Sequence, residues 1–161
     1  MVDIEFDSKN RVSYRYWSRE ILRYADLDPL GHVNNNAYGF YIENARTKLF
    51  HAADRAVLSA GGSVEYDWVL RRLEIDYLRE VRFPGEVETG LTCSHIGNSS
   101  MILHVGVFGS GFCAATSIGV SVCFDVSARV AMRVPDDMRQ AIWDLAGVEQ
   151  SERGGEKFND P

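Results

Sequence analysis

A long helical pattern followed by several strand patterns accounts for most hydrophobic positions in this chain of 161 residues. The helical pattern extends from about Asn34 to Ala60 and stops at two consecutive glycines, which are typical of a helix C-terminus. Apolar residues recur within it at spacings of three and four, so they share one face. That face consists of Tyr38, Tyr41, Ile42, Ala45, Leu49, Ala52, Ala53 and Ala56.

The positions after this helix predict an antiparallel sheet. Four strand-like segments follow with no helix between them, at about 67–81, 86–97, 100–109 and 112–126. The last segment alternates apolar residues with small or polar ones, which gives it one apolar face. The connections between these segments are short and rich in glycine, as antiparallel hairpins require.

Two shorter elements complete the layout. Residues 11–24 are rich in aromatic and β-branched types, which predicts one strand, either regular or interrupted. Pro135 begins a short helix that extends to about Ala146. One strand, one long helix and a run of strands form an α+β arrangement. Because a single helix covers only one face of a five-stranded sheet, we expect several polar residues on the face that points outward.

Length and composition indicate one domain over residues 1–146 and a polar tail, predicted to be disordered, over residues 147–161. Apolar runs are too short for a membrane span, and the N-terminus shows no signal-peptide pattern, so the expected location is the cytoplasm. The formal net charge of −6 argues against a nucleic-acid partner.

Three cysteines, Cys93, Cys113 and Cys123, lack disulfide-framework and zinc-ligand spacings, so we expect free thiols and no metal.

The segment from Tyr24 to Asn36, Y-A-D-L-D-P-L-G-H-V-N-N-N, holds the densest group of chemically active residues. Its proline and glycine interrupt regular structure, and its asparagines can cap the helix that follows. We therefore expect a strand end, a tight loop with Asp28 near its tip, and a helix N-terminus facing the loop. A helix N-terminus offers unpaired N–H donors, and a carboxylate beside them can act on a carbonyl group that they polarise.

This segment resembles the thioesterase motif of hotdog-fold proteins, specifically of the 4-hydroxybenzoyl-CoA thioesterase-like acyl-CoA thioesterases. The family pattern D-x-D-x-x-G-H-V-N-N-x-x-Y-x-x-Y-x-E-x-A-R matches at Asp26, Asp28, Gly31, His32, Val33, Asn34, Asn35, Tyr38, Tyr41, Glu43, Ala45 and Arg46. Segments at 73–83, 96–100 and 134–139 are also similar, so the resemblance covers nearly the whole chain up to about residue 146. It implies a five-stranded antiparallel sheet wrapped around one long central helix, and subunits that pair edge to edge into a homodimer or a dimer of dimers.

The resemblance also implies a reaction, the hydrolysis of an acyl-CoA thioester to a carboxylic acid and free coenzyme A. Coenzyme A is then part of the substrate, and no separate cofactor is expected. Asp28 matches the catalytic carboxylate of the family, which serves as general base or nucleophile. The backbone N–H of Asn35 matches the amide that polarises the thioester carbonyl. From the loop alone, a turn-capping role for Asp28 is the simpler alternative.

Several residues of the pattern have supporting roles in this interpretation. Asp26 is expected to hold the loop by accepting backbone N–H bonds, and Gly31 to permit its turn. His32 either orders the loop and the thioester or caps the helix through its ring. Asn34 belongs to the asparagine run that can cap the helix.

The helix carries two further candidate features. The acyl end of the substrate is expected beside the face that carries Tyr38 and Tyr41. Glu43 is either half of a helix-surface ion pair with Arg46 or a second candidate for the catalytic carboxylate.

Residues outside the motif supply candidates for binding the substrate. Ser99 and Ser100 match a family position near the acyl or pantetheine tunnel, although a hairpin turn explains them equally well. The cationic candidates for the coenzyme A phosphates are Arg71, Arg72, Arg79 and Arg82, of which Arg79 and Arg82 are preferred. Leu30 occupies a position at which acyl-carrier thioesterases have asparagine, which favours coenzyme A thioesters.

Two other functions remain open from the sequence. Hotdog enoyl-CoA hydratases and dehydratases carry D-x-N-P-x-H, whereas Asp28 replaces the asparagine here and Gly31 lengthens the spacing to His32. Both departures disfavour that reaction. A non-catalytic acyl-CoA-binding hotdog protein also fits the pattern, although such proteins usually lack the carboxylate that this chain keeps.

Overall fold

The long helix α1 (Asn35–Ser59) packs against a curled antiparallel sheet in the computed structural model, which describes residues 6–148. A short helix, α2 (Asp136–Ala146), packs against α1. The predicted α+β hotdog architecture, with five strands, one long helix and a short C-terminal helix, is confirmed. In spatial order the sheet comprises β1 (Tyr16–Ile21), β3 (Glu86–Ile96), β4 (Ser100–Gly109), β5 (Phe112–Asp125) and β2 (Asp67–Tyr77), and a two-residue strand, β6 (Val130–Ala131), pairs with the end of β5.

Helix α1 begins and ends where local chemistry favours it. Asn34 has an extended backbone, and its side-chain oxygen accepts a 2.9 Å hydrogen bond from the N–H of Asn36. At the other end Gly61 has a φ of 86°, which suits a residue after the last turn. The observed bounds differ from the predicted ones by one residue at each end.

The predicted apolar face of α1 forms the core together with the inner face of the sheet. Six residues of that face are buried, namely Tyr38, Tyr41, Ile42, Ala45, Leu49 and Ala53. Ala56 is exposed instead, and Phe50 and Val57 are buried. The helix therefore turns the same side toward the sheet along nearly its whole length.

The expectation of polar residues on the outer face is wrong for β5, because its small and polar residues point inward. The inner face of β5 carries buried Ser117, Gly119, Ser121 and Cys123, and its half-buried outer face carries Ile118, Val120 and Val122. Large side chains of the neighbouring strands stand opposite the inner residues, namely Leu70, Leu73, Met101 and Leu103. They fill the inner space, so the β-branched residues of β5 occupy the outer face.

The segment before β1 covers part of the outer face of the sheet. The ring of Tyr14 lies over Gly90 of β3 and Gly106 of β4, where an added Cβ would come within 2.7 Å of Tyr14 atoms. The Tyr14 hydroxyl group donates a 2.6 Å hydrogen bond to the carbonyl oxygen of Ser8. The ring thus occupies the space that two absent side chains leave.

After α2 the chain returns to the sheet. The N–H of Val148 donates to the carbonyl oxygen of Cys93 at 3.0 Å, and the Arg15 guanidinium donates to that of Gly147 at 2.8 Å. Gly147 and Val148, predicted to begin a disordered tail, therefore pair with the folded domain; the rest of that predicted tail, 149–161, lies outside the described residues. In the described part of the chain, no helix combines the length and apolarity that a membrane crossing needs.

Candidate active site at the start of the central helix

Residues 27–33 form a tight hairpin directly before α1. Leu27 and Val33 pair as an antiparallel bridge, and the N–H of Asp28 donates to the carbonyl oxygen of His32 at 3.0 Å. The N–H of Gly31 closes the turn by donating to the carbonyl oxygen of Asp28 at 3.0 Å. Gly31 has a φ of 80°, which disfavours a residue with a side chain. Asp28 therefore starts the turn.

Asp26 anchors this hairpin. Its buried carboxylate accepts bonds from the Arg23 backbone N–H at 2.9 Å, the Arg23 guanidinium at 2.7 Å and the Tyr41 hydroxyl group at 2.8 Å. Its carbonyl oxygen accepts the N–H of Asn34 at 2.8 Å. Burial raises the pKa of Asp26, but the bonds from Arg23 and Tyr41 outweigh it, so that this pKa lies below its ordinary value. The side chain is thus occupied in holding the loop.

Asp28, in contrast, keeps acceptor capacity that it can offer to another molecule. Its Oδ1 atom accepts a 2.9 Å bond from the N–H of Leu30, and its Oδ2 atom lies 3.2 Å from Nδ1 of His32. The carboxylate is half-buried. Since each carboxylate oxygen has two lone pairs, these two contacts leave lone pairs free. A free lone pair can accept a hydrogen bond from a water molecule or attack a carbonyl carbon.

His32 supports Asp28 through a defined ring nitrogen. Its Nδ1 atom also lies 3.2 Å from the carbonyl oxygen of Val33. Both neighbours of Nδ1, the Asp28 carboxylate and this carbonyl group, accept hydrogen bonds. In the neutral imidazole, Nδ1 therefore carries the hydrogen and Nε2 is the acceptor.

The N-terminal end of α1 contains the backbone N–H that the sequence analysis names as a candidate donor. Asn35 is the first helical residue, so its N–H has no partner within the helix. The Tyr77 hydroxyl group, at the end of β2, donates a 3.2 Å bond to the carbonyl oxygen of Asn35. Sequence reasoning missed this tyrosine, because only the pairing of β2 with β5 places its ring at the start of the helix.

The connection between β2 and β3 brings two predicted cations beside the hairpin. The N–H of Val33 donates to the carbonyl oxygen of Val81 at 2.8 Å; Arg82 follows Val81 directly, and Arg79 precedes it by two residues. The Arg79 guanidinium lies 4.3 Å from the centre of the Phe112 ring, and Arg82 forms an exposed 2.8 Å ion pair with Glu80. Both cations are therefore within two residues of the contact with the hairpin, and they remain candidates for phosphate binding.

Ser99 and Ser100 lie far from Asp28 within one chain. Ser100 is opposite Val122 on β5, whereas Tyr77, next to the start of α1, is opposite Ala115. Seven residues of extended strand separate these two positions, which corresponds to about 23 Å. Ser99 and Ser100 can therefore be near Asp28 only if the serines and Asp28 belong to different subunits.

A groove between α1 and β2 opens beside the candidate site. It has a volume of about 480 Å³ and is lined by Asn36, Gly39, Phe40, Glu43, Arg46, Leu70 and Leu73. The rings of Tyr38 and Tyr41 are buried in the core, so the groove follows a different face of the helix from the one expected to adjoin the acyl group. Glu43 lies eight residues after Asn35, about 12 Å along the helix axis.

A bulge in β2 explains why two leucines line this groove. The register of β2 against β5 shifts between Leu70 and Arg72, so that Leu70 and Leu73 both point inward although they are three residues apart. In a regular strand, residues three apart point to opposite faces. The groove could not be predicted from the sequence because its wall depends on this shift.

A family model matches most of the chain. The model of the thioesterase-like superfamily matches residues 22–142, which include the whole candidate site. The chain therefore belongs to the thioesterase-like superfamily. A curated relative, the uncharacterized protein YsmA of Bacillus subtilis (strain 168), is 26% identical over 94 residues; the match covers 58% of this chain and 61% of that protein.

Solved structures are similar over most of the chain. The thioesterase from Thermus thermophilus, whose crystal structure contains coenzyme A and Zn, is 32% identical with a TM-score of 0.70, over 82% of this chain and 94% of that one. The PA5185 protein from Pseudomonas aeruginosa strain PAO1 has a TM-score of 0.76 and 25% identity, over 87% of this chain and 97% of that one. Both agree with the hotdog fold of this chain.

Proposed function

We propose that this protein is an acyl-CoA thioesterase that hydrolyses its substrate to a carboxylic acid and free coenzyme A. One observation carries the proposal. The half-buried carboxylate of Asp28 has free acceptor positions, and its hairpin directly precedes Asn35, whose N–H has no partner within the helix. The coenzyme A bound to the 32% identical Thermus thermophilus thioesterase supports this substrate class. No separate cofactor takes part in the proposed reaction.

In the proposed mechanism, the thioester carbonyl oxygen accepts a hydrogen bond from the N–H of Asn35. The partial positive charge of the helix start then stabilises the negative charge that develops on this oxygen. Asp28 either removes a proton from the attacking water or attacks the carbonyl carbon itself. In both cases the carbon–sulfur bond breaks and coenzyme A leaves as the thiolate, which then takes up a proton. In the second case water hydrolyses the resulting anhydride with Asp28 and releases the carboxylic acid. His32 fixes one oxygen of Asp28, and Asp26 holds the hairpin against α1. Arg79 and Arg82 are the proposed binding partners of phosphate groups of coenzyme A.

A panel of acyl-CoA substrates, with release of the free thiol as the readout, tests this proposal. We expect hydrolysis by the native protein and a loss of at least about 100-fold in kcat for Asp28→Asn, because a positioned base contributes on this order. Asp144→Asn, on the surface of α2, is the matched control and should keep full activity.

Three results would contradict the proposal. Full activity in Asp28→Asn together with loss in Glu43→Gln would transfer the catalytic role to Glu43. Consumption of an enoyl-CoA double bond without thiol release would identify a hydratase instead. A protein that binds acyl-CoA without either reaction would be a non-catalytic member of the fold.

The proposal includes a homodimer, alone or as half of a tetramer. Strand β2 is at the edge of the sheet, and Val69 and Leu70 are exposed on it. An uncovered edge strand with apolar side chains favours pairing with another strand. A second copy at this edge would also cover the groove and would supply Ser99 and Ser100. We also propose a cytoplasmic location, in keeping with the three free cysteines of the described chain.

A further inference from the structure

Arg46 is a largely buried cation that makes no hydrogen bond within the described residues. Its side chain is only 12% exposed, and it lines the groove between α1 and β2. Its nearest acidic group is the Glu43 carboxylate, at 3.9 Å, which is too far for a hydrogen bond. Within residues 6–148, no carbonyl or carboxylate oxygen accepts a hydrogen bond from the Arg46 guanidinium. Burial lowers the pKa of Arg46, which reflects the unfavourable surroundings of its charge.

A group that enters the groove changes the solvation of this guanidinium. An apolar acyl chain lying over Arg46 would remove its remaining water without providing an acceptor, which costs free energy. An oxygen acceptor in the same place would replace that water. Since the guanidinium presents its donors as a planar fork, a carboxylate is the group that satisfies it best.

Glu43 does not remove this preference for an anion. Its side chain is 61% exposed, so water screens its charge much more than the charge of Arg46. Its carboxylate can also turn toward solvent when another anion approaches Arg46. The less exposed cation, Arg46, therefore dominates the field inside the groove, and Glu43 reduces that field only in part.

The shape of the groove fits an acyl group that starts at the candidate active site. Phe40, Leu70 and Leu73 provide apolar walls for methylene groups. Arg46 lies eleven residues after Asn35, and its side chain leans back toward the start of the helix, so its guanidinium is about 10–15 Å from a carbonyl group held at the Asn35 N–H. A chain of roughly ten carbons would span this distance.

We propose that the groove binds the acyl group and that Arg46 selects acyl groups that end in a carboxylate. This inference rests on the proposed thioesterase function. The favoured substrates are thus mono-CoA thioesters of dicarboxylic acids, whereas fatty acyl-CoA thioesters of the same length, which end in a methyl group, are disfavoured.

Calorimetric binding to the Asp28→Asn protein measures this preference without turnover. The ligands are two CoA thioesters of about ten carbons, one ending in a carboxylate and one in a methyl group. We expect the carboxylated ligand to bind about tenfold more tightly or better, the effect of one hydrogen bond to a charged group. Adding Arg46→Met should abolish or reverse the difference, and adding Arg46→Lys should restore part of it. Adding Glu43→Gln should increase it severalfold, which a merely structural role of Arg46 would not predict.

A short acyl-CoA such as propionyl-CoA is the internal control, because its acyl group does not reach Arg46. Its affinity should be the same with and without Arg46→Met. Equal binding of the two long ligands would overturn the inference, and so would a preference that persists in Arg46→Met. A change of oligomeric state in Arg46→Met, with unchanged ligand preference, would make Arg46 an interface residue. Absence of hydrolysis in the native protein would contradict the proposed function alone, since the affinity ratio does not depend on turnover.

Discussion

The hydroxyl group of Tyr41 donates a 2.8 Å hydrogen bond to Oδ2 of Asp26, and this bond joins the central helix to the hairpin that carries Asp28. Two carboxylates separated by one residue thereby acquire different roles. Asp26 is buried and accepts bonds from Arg23 and Tyr41, whereas Asp28 keeps free acceptor positions toward solvent. Because Asp26 is held rigidly, the hairpin keeps Asp28 in a defined position.

Tyr41→Phe should destabilise the protein by about 1–3 kcal/mol, because it leaves a buried carboxylate with one donor fewer. Urea unfolding followed by circular dichroism measures this as a lower transition midpoint. Tyr24→Phe is the matched control, since Tyr24 is 79% exposed, and it should change stability by less than about 0.5 kcal/mol. Equal stability of the two variants would show that the bond to Asp26 is unimportant.

His32→Ala should lower kcat/KM about tenfold, the effect of one lost hydrogen bond to Asp28. His32→Asn should recover most of the activity, because its side-chain N–H can replace Nδ1 as the donor. Steady-state kinetics on one acyl-CoA decides between these results. A His32→Asn protein as impaired as His32→Ala would mean that the imidazole does more than position Asp28.

Gly31→Ala and Gly39→Ala should change stability in opposite directions. Neither added Cβ would have a neighbouring atom within 4 Å, so backbone conformation alone decides the outcome. At Gly31 the positive φ should cost about 1–2 kcal/mol, whereas inside α1 alanine should stabilise by about 1 kcal/mol. Urea midpoints for both variants test this pair. If Gly39→Ala destabilised the protein as Gly31→Ala does, α1 would require Gly39 for a reason other than backbone conformation.

Stability should fall in mildly acidic solution because of His104. Burial lowers the pKa of this histidine from its ordinary value of 6.5, beside the ring of Phe6 and a 2.9 Å contact with the Ser94 hydroxyl group. Above the ordinary value, His104 is neutral in both the folded and the unfolded chain and adds no pH dependence. Below it, the unfolded chain takes up the proton first, so the free energy of unfolding decreases as the pH falls toward the folded-state pKa.

Urea unfolding at pH 7.5 and 5.5 measures this effect. The loss of stability on acidification should be smaller in His104→Gln than in the native protein. His95→Gln is the control, because His95 is exposed and its replacement should leave the difference between the two pH values unchanged. An unchanged difference in His104→Gln would assign the acid sensitivity to other groups.

The helix, the strands and the hairpin that carries Asp28 could be predicted because local chemistry determines them. The asparagine cap and the glycines fix the ends of α1, and Pro29 and Gly31 favour the turn at Asp28. The orientation of β5 could not be predicted in this way. Both of its faces carry small or apolar residues, so the large side chains of the neighbouring strands decide which face points inward.

The environment of Arg46 could not be predicted from the sequence either. The helical spacing places it three residues from Glu43, which suggested an ordinary surface pair. Arg46 shares the groove with Leu70 and Leu73, which face the same side only because of the register shift in β2. The distinction between a surface ion pair and a largely buried cation is therefore visible only in the folded chain.

The packing of Tyr14 over Gly90 and Gly106 has a consequence for how this domain can change over evolutionary time. The two glycines are acceptable because the ring fills the space above them, and the ring fits only while both lack side chains. Substitutions at these positions, which belong to three separate segments, should therefore show strong epistasis. A lineage that lost the aromatic ring could acquire side chains at both glycines, and it would then be unable to regain the tyrosine in a single step.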